Sequence, residues 1–257
     1  MNSLTLLTAE IASSPATDAP KEMAWSLVTY LINQFKLDGA GLALAVLGGV
    51  LLCMALPYLL GSLNFAIIIS KLFYRDDIRK YGSGNAGMTN MLRTYGKLPA
   101  AATLLLDMAK GAVSVVLGTL IFADIGSAIA GLFVVLGHMF PCFYKFKGGK
   151  GVATTAMVVL ATDWLVFLIL LAIFLVIVIG TKYVSLGSVM CMLIYPFVLA
   201  NIHNTGFNVL SAIIVAALVI FMHRSNIARL RAGTESKISF KKKAKPVTEE
   251  GNAEESK

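Results

Sequence analysis

The chain has 257 residues, 57% of them hydrophobic and 14% charged, with a formal net charge of +8; its mean hydropathy is +0.78. A soluble domain carries about 25% charged residues, and a core of this length could not bury so many apolar side chains, so lipid must solvate the rest. The net charge would point to nucleic acid in a soluble protein; here its meaning lies in where the charges fall, and no nucleic-acid partner is expected.

Residues 1–22 are small and polar, include Pro15 and Pro20, and read as disordered or loosely attached. The stretch 24–35 (AWSLVTYLINQF) is apolar but short, since a crossing helix needs about 20 residues. Trp25 and Tyr30 suit a segment lying in the membrane interface. Apolar runs follow at 42–72, 99–122, 126–143, 151–180, 184–202 and 206–222. Lys71, Arg75, Arg79, Lys80, Arg93 and Lys97 follow the first run, Lys145, Lys147 and Lys150 the third, and Arg224, Arg229 and Arg231 the last. The turns at 123–126 and 201–205 hold no Lys or Arg, and His203 sits in the second of these. Basic loops stay cytoplasmic, which puts the N-terminus outside and the C-terminus in the cytoplasm. With those ends fixed, 151–180 must cross twice or not at all; a single tilted helix, the alternative, would put residues 181–190 outside. Asp163 and Trp164 interrupt it at its middle, where a turn would sit.

The reading is an all-α, polytopic integral membrane protein with about seven transmembrane helices. Residues 1–40 form an N-terminal extension, 41–233 the membrane domain and 234–257 a charged cytoplasmic tail. Cys53, Cys142 and Cys191 lie in or beside apolar runs without CxxC spacing, so neither a disulfide framework nor a zinc site is expected. No cofactor and no metal are called for.

The inward-facing loops are unlike ordinary membrane loops. The first, 81–98, packs Gly82, Gly84, Gly87 and Gly96 among Ser83, Asn85, Thr89, Asn90, Arg93 and Lys97. The second reads KFKGGKGVATT from Lys145 to Thr155; the third is split between YVSLGS at 183–188 and HRSNIARLRAGTESK at 223–237. Glycine lets backbone N–H groups approach an anion unobstructed, a helix start adds its dipole, and Arg and Lys neutralise the remaining charge.

Three decoys fail. The literal GxGxxG at 82–87, with Asp107 20 residues beyond Gly87, lacks the preceding strand and βαβ unit of a dinucleotide fold. GGKG at 148–151 lacks P-loop spacing, and none of the histidines starts the His-x4-Asp pair of common glycerolipid acyltransferases. Clustered acids that could hold Mg²⁺ are missing too.

YLLGS at 58–62, GSGNAGMTNMLR at 82–93, GH-x2-P at 137–141, FKGGKGVAT at 146–154, SLGS at 185–188 and H-x2-NIARL-x2-GTE-x-K at 223–237 together resemble the bacterial acylphosphate-dependent glycerol-3-phosphate acyltransferase family (the PlsY type). The resemblance spans roughly residues 50–240, with the motifs in one order; Met88 stands where that family usually has Ala, and the first 40 residues have no counterpart. It implies transfer of an acyl chain from acyl phosphate to the 1-hydroxyl of sn-glycerol 3-phosphate, giving lysophosphatidic acid and phosphate. It implies catalytic roles for Ser83, Asn85, Arg93, Lys150 and His223. Phosphate or substrate contacts would come from Gly82, Gly84, Asn90, the Gly148–Gly149 pair as a backbone nest, Ser188 and Asn226. The implied partners are both substrates, membrane lipid and, as a candidate, the soluble enzyme that makes acyl phosphate. The implied location is the bacterial inner membrane, with the site at its cytoplasmic face.

Other residues read more plainly. Arg75 and Arg79 are positive-inside anchors, Lys145 an interface anchor and His138 a structural histidine. Asp107 and Lys110, one helical turn apart, are either a buried ion pair or a site element. Ser185 shares a helix face with Ser188, the better candidate of the two. The rival function is a membrane transporter of a phosphorylated metabolite, against which stand the absence of an internal repeat and the gathering of the loops at one face.

Overall fold

The structure, a computed structural model, describes residues 26–202 and 206–238. Trp25, His203, most of the N-terminal extension and the tail beyond 238 lie outside the described residues. All regular structure among those described is helical, in ten α-helices joined by short turns.

Helix α1, Leu27–Phe35, starts at Ser26, whose hydroxyl accepts the Thr29 N–H at 3.2 Å, and ends at Lys36 in a left-handed conformation. Val28 of α1 packs beside Cys53, Ile121 and Phe122. Helices α2, Gly39–Ser62, and α3, Phe65–Tyr74, divide the apolar run read as 42–72. The division falls where Asn64 turns its side chain to cap Ile67 N–H at 3.2 Å; a capping side chain ends the helix before it by starting the next. Helix α4 is Met88–Thr94.

Helix α5, Lys97–Met139, contains two non-helical residues, Phe122 and Ala123. There the chain doubles back. A Cβ on Gly118 would lie 2.2 Å from the Gly126 carbonyl oxygen, although eight residues of continuous helix would separate the two by about 12 Å. The element is thus a hairpin whose arms touch backbone to backbone through small residues, as membrane helices do. Its turn, at Phe122–Ala123, meets the edge of the stretch 123–126 read as free of Lys and Arg.

Helix α6, Val152–Thr162, and helix α7, Trp164–Thr181, meet at Asp163. The Asp163 carboxylate takes the Leu165 and Val166 N–H groups at 2.9 Å each, which starts α7 and ends α6. Helix α8 is Val184–Ile202, α9 is Gly206–Met222 and α10 is Arg224–Arg231.

Among the described residues, four stretches are by length and composition able to cross a membrane: Gly39–Tyr74, Lys97–Tyr144, Trp164–Thr181 and Val184–Ile202. A fifth joins them if Asn208–Met222 and Arg224–Arg231, bent by 56°, form one span. Helix α7 is apolar throughout, yet only 11% of its length is buried in the protein; the rest needs lipid. Helix α6 has 11 residues and at 1.5 Å per residue is about 16 Å long, half a hydrocarbon core.

The main core joins the second arm of α5 to α6, α7, α8 and α9, with Val134, Val135, Met139, Val166 and Val219 fully enclosed. A smaller cluster around Ile67, Ile78, Ala86 and Met91 lies under the first loop. The site opens between these two cores.

Candidate active site

The loop between α3 and α4 is knitted by Asn90. Its amide donates to the carbonyls of Ile78 (3.2 Å) and Tyr81 (2.9 Å) and accepts the Ser83 N–H (3.0 Å). Gly82 and Gly84 take φ of +58° and +70°, which tightens the turn that presents Ser83 and Asn85. Asn90 and these glycines, read as phosphate ligands, hold the loop's shape, and the three Asn90 bonds all run within the loop.

The second loop departs from expectation. Gly148 N–H donates to Met139 carbonyl and Gly149 N–H to His138 carbonyl, both at 3.1 Å. Those two N–H groups are spent, so the backbone nest read at 148–149 does not form; the glycines are there for close approach. A Cβ on Gly149 would meet His138 Nε2 at 2.1 Å and the Ala86 carbonyl at 2.6 Å. This packing aims the next residue, Lys150, into the cavity.

The third region contributes His223, at the break between α9 and α10, and Asn226. His223 Nδ1 lies 2.8 Å from Val219 carbonyl. A carbonyl can only accept, so Nδ1 carries the hydrogen and Nε2 of the neutral ring is left as an acceptor. Asn226 Oδ1 accepts from Lys150 Nζ, and its amide nitrogen donates to Glu235 at 2.6 Å.

Glu235, part of the GTE motif at 233–235, is given no role by the sequence, and its position opens the charged tail. It is buried at 8% exposure and accepts from Ser185 (2.7 Å), Asn226 (2.6 Å) and Arg229 (2.7 Å). Burial works against its ionisation, but those hydrogen bonds prevail and hold the carboxyl below its ordinary range. The tail's first residues therefore belong to the folded body. Ser236 carbonyl accepts from Arg93 at 3.2 Å, and Ile238 N–H donates to Lys182 carbonyl at 2.8 Å.

These groups line a cavity of about 380 Å³, a usual size for a small-molecule site. Ser83, Asn85, Asn90, Arg93, Lys150, Ser188, His223 and Asn226 all reach it, whereas Gly82, Gly84, Gly148 and Gly149 do not. At one end the lining is polar and basic. At the other it runs between α6, α7 and α8 past Val159, Phe167, Leu170, Leu171, Phe174 and Met192. Burial pulls Lys150 down to about 8; Glu235 opposes that, and Arg229 and Arg93 add to it. Burial also lowers Arg93, with Glu235 opposing.

Beneath the polar end lies a buried cluster. Lys110 Nζ sits 2.9 Å from Asp107 Oδ1, 3.0 Å from His138 Nδ1, and 3.0 and 2.8 Å from the carbonyls of Gly61 and Leu63 at the end of α2. Lys110 stays outside the cavity, while Asp107 and His138 touch it. The pair read two ways in the sequence is thus an ion pair, and it also braces His138 against the second loop.

A family model described as glycerol-3-phosphate acyltransferase matches residues 51–233. A glycerol-3-phosphate acyltransferase of Thermoanaerobacter pseudethanolicus is 45% identical over 190 residues, covering 74% of this chain and 96% of that one. One from Finegoldia magna is 46% identical over 182 residues, covering 70% and 92%. The crystal structure of PlsY (YgiH), an integral membrane glycerol 3-phosphate acyltransferase, in its glycerol 3-phosphate form superposes with a TM-score of 0.71 at 37% identity, covering 75% of this chain and 96% of that one. Its lysophosphatidic acid form gives 0.69 at 36% identity, covering 75% and 97%.

Proposed function

The chain belongs to the glycerol-3-phosphate acyltransferase family, and on that premise we propose how its cavity does the chemistry. The protein is a membrane acyltransferase that acylates glycerol 3-phosphate to lysophosphatidic acid. The acyl donor is acyl phosphate, and the attacking group is the 1-hydroxyl.

One observation carries the assignment of the site. Lys150 and Arg93 face one cavity and, among the described residues, are bonded only to neutral acceptors, the Asn226 amide oxygen and the Ser236 carbonyl, while the Glu235 carboxylate is claimed by Arg229 at 2.7 Å. Two half-buried cations facing one cavity, with no carboxylate bonded to either among the described residues, suit an anion, and phosphate supplies it. Both substrates carry phosphate, of roughly −1.5 to −2 charges each near neutral pH. Arg93 and Lys150 hold the phosphates. Ser83, Asn85 and Ser188 orient them and the carbonyl. The apolar end takes the acyl chain.

An acyl phosphate is a mixed anhydride and needs no covalent enzyme intermediate. The glycerol oxygen forms a bond to the acyl carbon, and the bond from that carbon to the phosphate oxygen breaks. The electron pair leaves with phosphate, and the hydroxyl proton passes to a phosphate oxygen. His223 Nε2, an available acceptor, aligns the hydroxyl. Ser83 and Asn85 donate to the oxygen that gains charge.

The chain spans the bacterial inner membrane seven times, with its C-terminus and the cavity's polar end in the cytoplasm. Two contacts support that count. Lys182 carbonyl binds Ile238 N–H at 2.8 Å, and Lys237 lies 5.7 Å from the Tyr183 ring. The turn between α7 and α8 thus sits beside the C-terminal segment, at the same end as the basic loops. A cysteine placed at Lys182 should resist external labelling; labelling from outside would remove two crossings.

Purified protein mixed with acyl phosphate and glycerol 3-phosphate should yield lysophosphatidic acid and phosphate in equal amounts. Accumulation of an acyl group on Ser83 or Ser188 would replace direct attack with covalent catalysis. Lack of product, together with uptake of glycerol 3-phosphate into liposomes, would overturn the assignment in favour of transport.

A further inference from the structure

We propose that Arg79 is a positioning residue for acyl transfer: it clasps the turn ahead of Lys150 and fixes that lysine relative to the Ser83 loop. The inference rests on reading Lys150 as a phosphate ligand.

The turn is strained. Lys145 and Phe146 are consecutive non-glycine residues with φ of +57° and +55°. Such residues persist only where their surroundings over-determine them. Arg79 Nη1 donates to the carbonyls of Tyr144 and Lys147, both at 3.0 Å. Those carbonyls flank the strained pair on either side. The rest of the guanidinium is engaged as well, with Nε and Nη2 on the Asp77 carboxylate at 2.6 to 3.2 Å. Asp77 Oδ1 also takes the Arg79 backbone N–H at 3.0 Å.

The same short turn, Ile78–Lys80, reaches the first loop. Ile78 carbonyl accepts from Asn90, and Asn90 in turn holds Ser83 N–H. One three-residue element therefore grips both loops, from 65 and 68 residues away in the case of Tyr144 and Lys147. From Lys147 the chain has only Gly148 and Gly149 before Lys150, and their N–H groups are pinned to the end of α5. Slack at Lys147 is thus transmitted to Lys150 through two residues.

The simpler reading makes Arg79 a positive charge that keeps its loop in the cytoplasm. Lysine would serve that role equally. It cannot serve the other, because one ammonium lacks the planar fork that holds a carboxylate on one edge and two carbonyls on the other.

The test uses full-length protein and steady-state kinetics of lysophosphatidic acid formation with varied glycerol 3-phosphate. Arg79→Lys should raise KM about tenfold with kcat little changed, since one charge-assisted contact to phosphate is misplaced rather than removed. The alkaline limb of kcat/KM should also move upward, because a loosened turn admits water to Lys150. The groups facing Lys150 there are Arg93 from α4, His223, Asn226 and Arg229 at and on α10, and Glu235. Asp77→Asn, which keeps the Arg79 charge and weakens its anchor, should shift both quantities in the same direction. Arg75→Asn removes a positive charge at an exposed left-handed position that asparagine tolerates, and should behave as wild type. Wild-type KM and pH profile in both Arg79→Lys and Asp77→Asn overturn the inference. Lys150→Met separates the two levels: if it too keeps its KM, the phosphate-ligand reading has failed; if it loses activity while the Arg79 and Asp77 variants are silent, only the positioning role has.

Discussion

Gly149→Ala isolates the contribution of loop placement. The new methyl would sit 2.1 Å from His138 Nε2 and 2.6 Å from the Ala86 carbonyl oxygen, where real Cβ contacts stay beyond 3.0 Å. Neither neighbour can retreat cheaply. His138 is 4% exposed and its ring is held by Lys110 at 3.0 Å, while the Ala86 carbonyl accepts from Asn64 at 3.3 Å. The loop itself must therefore move by about 1 Å and carry Lys150 with it, a displacement that costs on the order of 100-fold in rate, or about 2.7 kcal/mol. The expected result is a kcat/KM for glycerol 3-phosphate reduced about 100-fold, with an unchanged elution profile and a melting temperature within a few degrees of wild type. Gly48→Ala is the control, since its Cβ would meet nothing within 4 Å. Wild-type kcat/KM in Gly149→Ala would show that the loop absorbs the methyl, and the claim that close packing on His138 aims Lys150 would be wrong.

Three further outcomes follow from the same geometry. Lys150, lowered to about 8, is protonated below that pH and loses its charge above it, so kcat/KM should fall as pH rises through about 8. Lys150→Arg, charged throughout, should abolish that limb, and a flat wild-type profile up to pH 10 would refute the assignment. Lys110→Met leaves the buried Asp107 carboxylate with His138 Nδ1, 3.5 Å away, as its remaining partner and should cost up to about 3–5 kcal/mol, read as a drop in melting temperature; Asp107→Leu combined with Lys110→Met should recover part of it, and a double variant less stable than the single would contradict this. Glu235→Ala strips the acceptor from Asn226, Ser185 and Arg229 and should destabilise by about 1–3 kcal/mol for each buried polar group left without a partner. An unchanged melting temperature would show that water replaces it as the acceptor.

The spans and basic loops were legible because composition and charge sort along the chain without reference to tertiary contacts. The break at Asp163 was readable for the same local reason, since its carboxylate caps the helix that follows. Glu235 was not. A single acid in a run of charged residues looks like solvated tail, and its burial rests on tertiary partners such as Ser185, 50 residues away in sequence. Arg79 was hidden likewise: an arginine in a basic loop satisfies the charge rule by itself, and its two carbonyl partners belong to a turn whose left-handed pair has no sequence signature. The Gly148–Gly149 pair misled in the opposite way. Glycine serves both anion contact and close packing, and the residues alone do not say which.

The cavity's two linings give the enzyme two kinds of traffic. Glycerol 3-phosphate and inorganic phosphate are water-borne and meet the basic end by diffusion in three dimensions. On the proposed reading the fatty chain enters and leaves along the apolar lining at Phe167, Leu170 and Phe174, by diffusion in the plane of the bilayer. Lysophosphatidic acid keeps its tail in that second space throughout, so turnover should respond to the surface density of donor in the membrane rather than to its bulk concentration, and diluting the donor with inert lipid should slow the reaction at constant total amount.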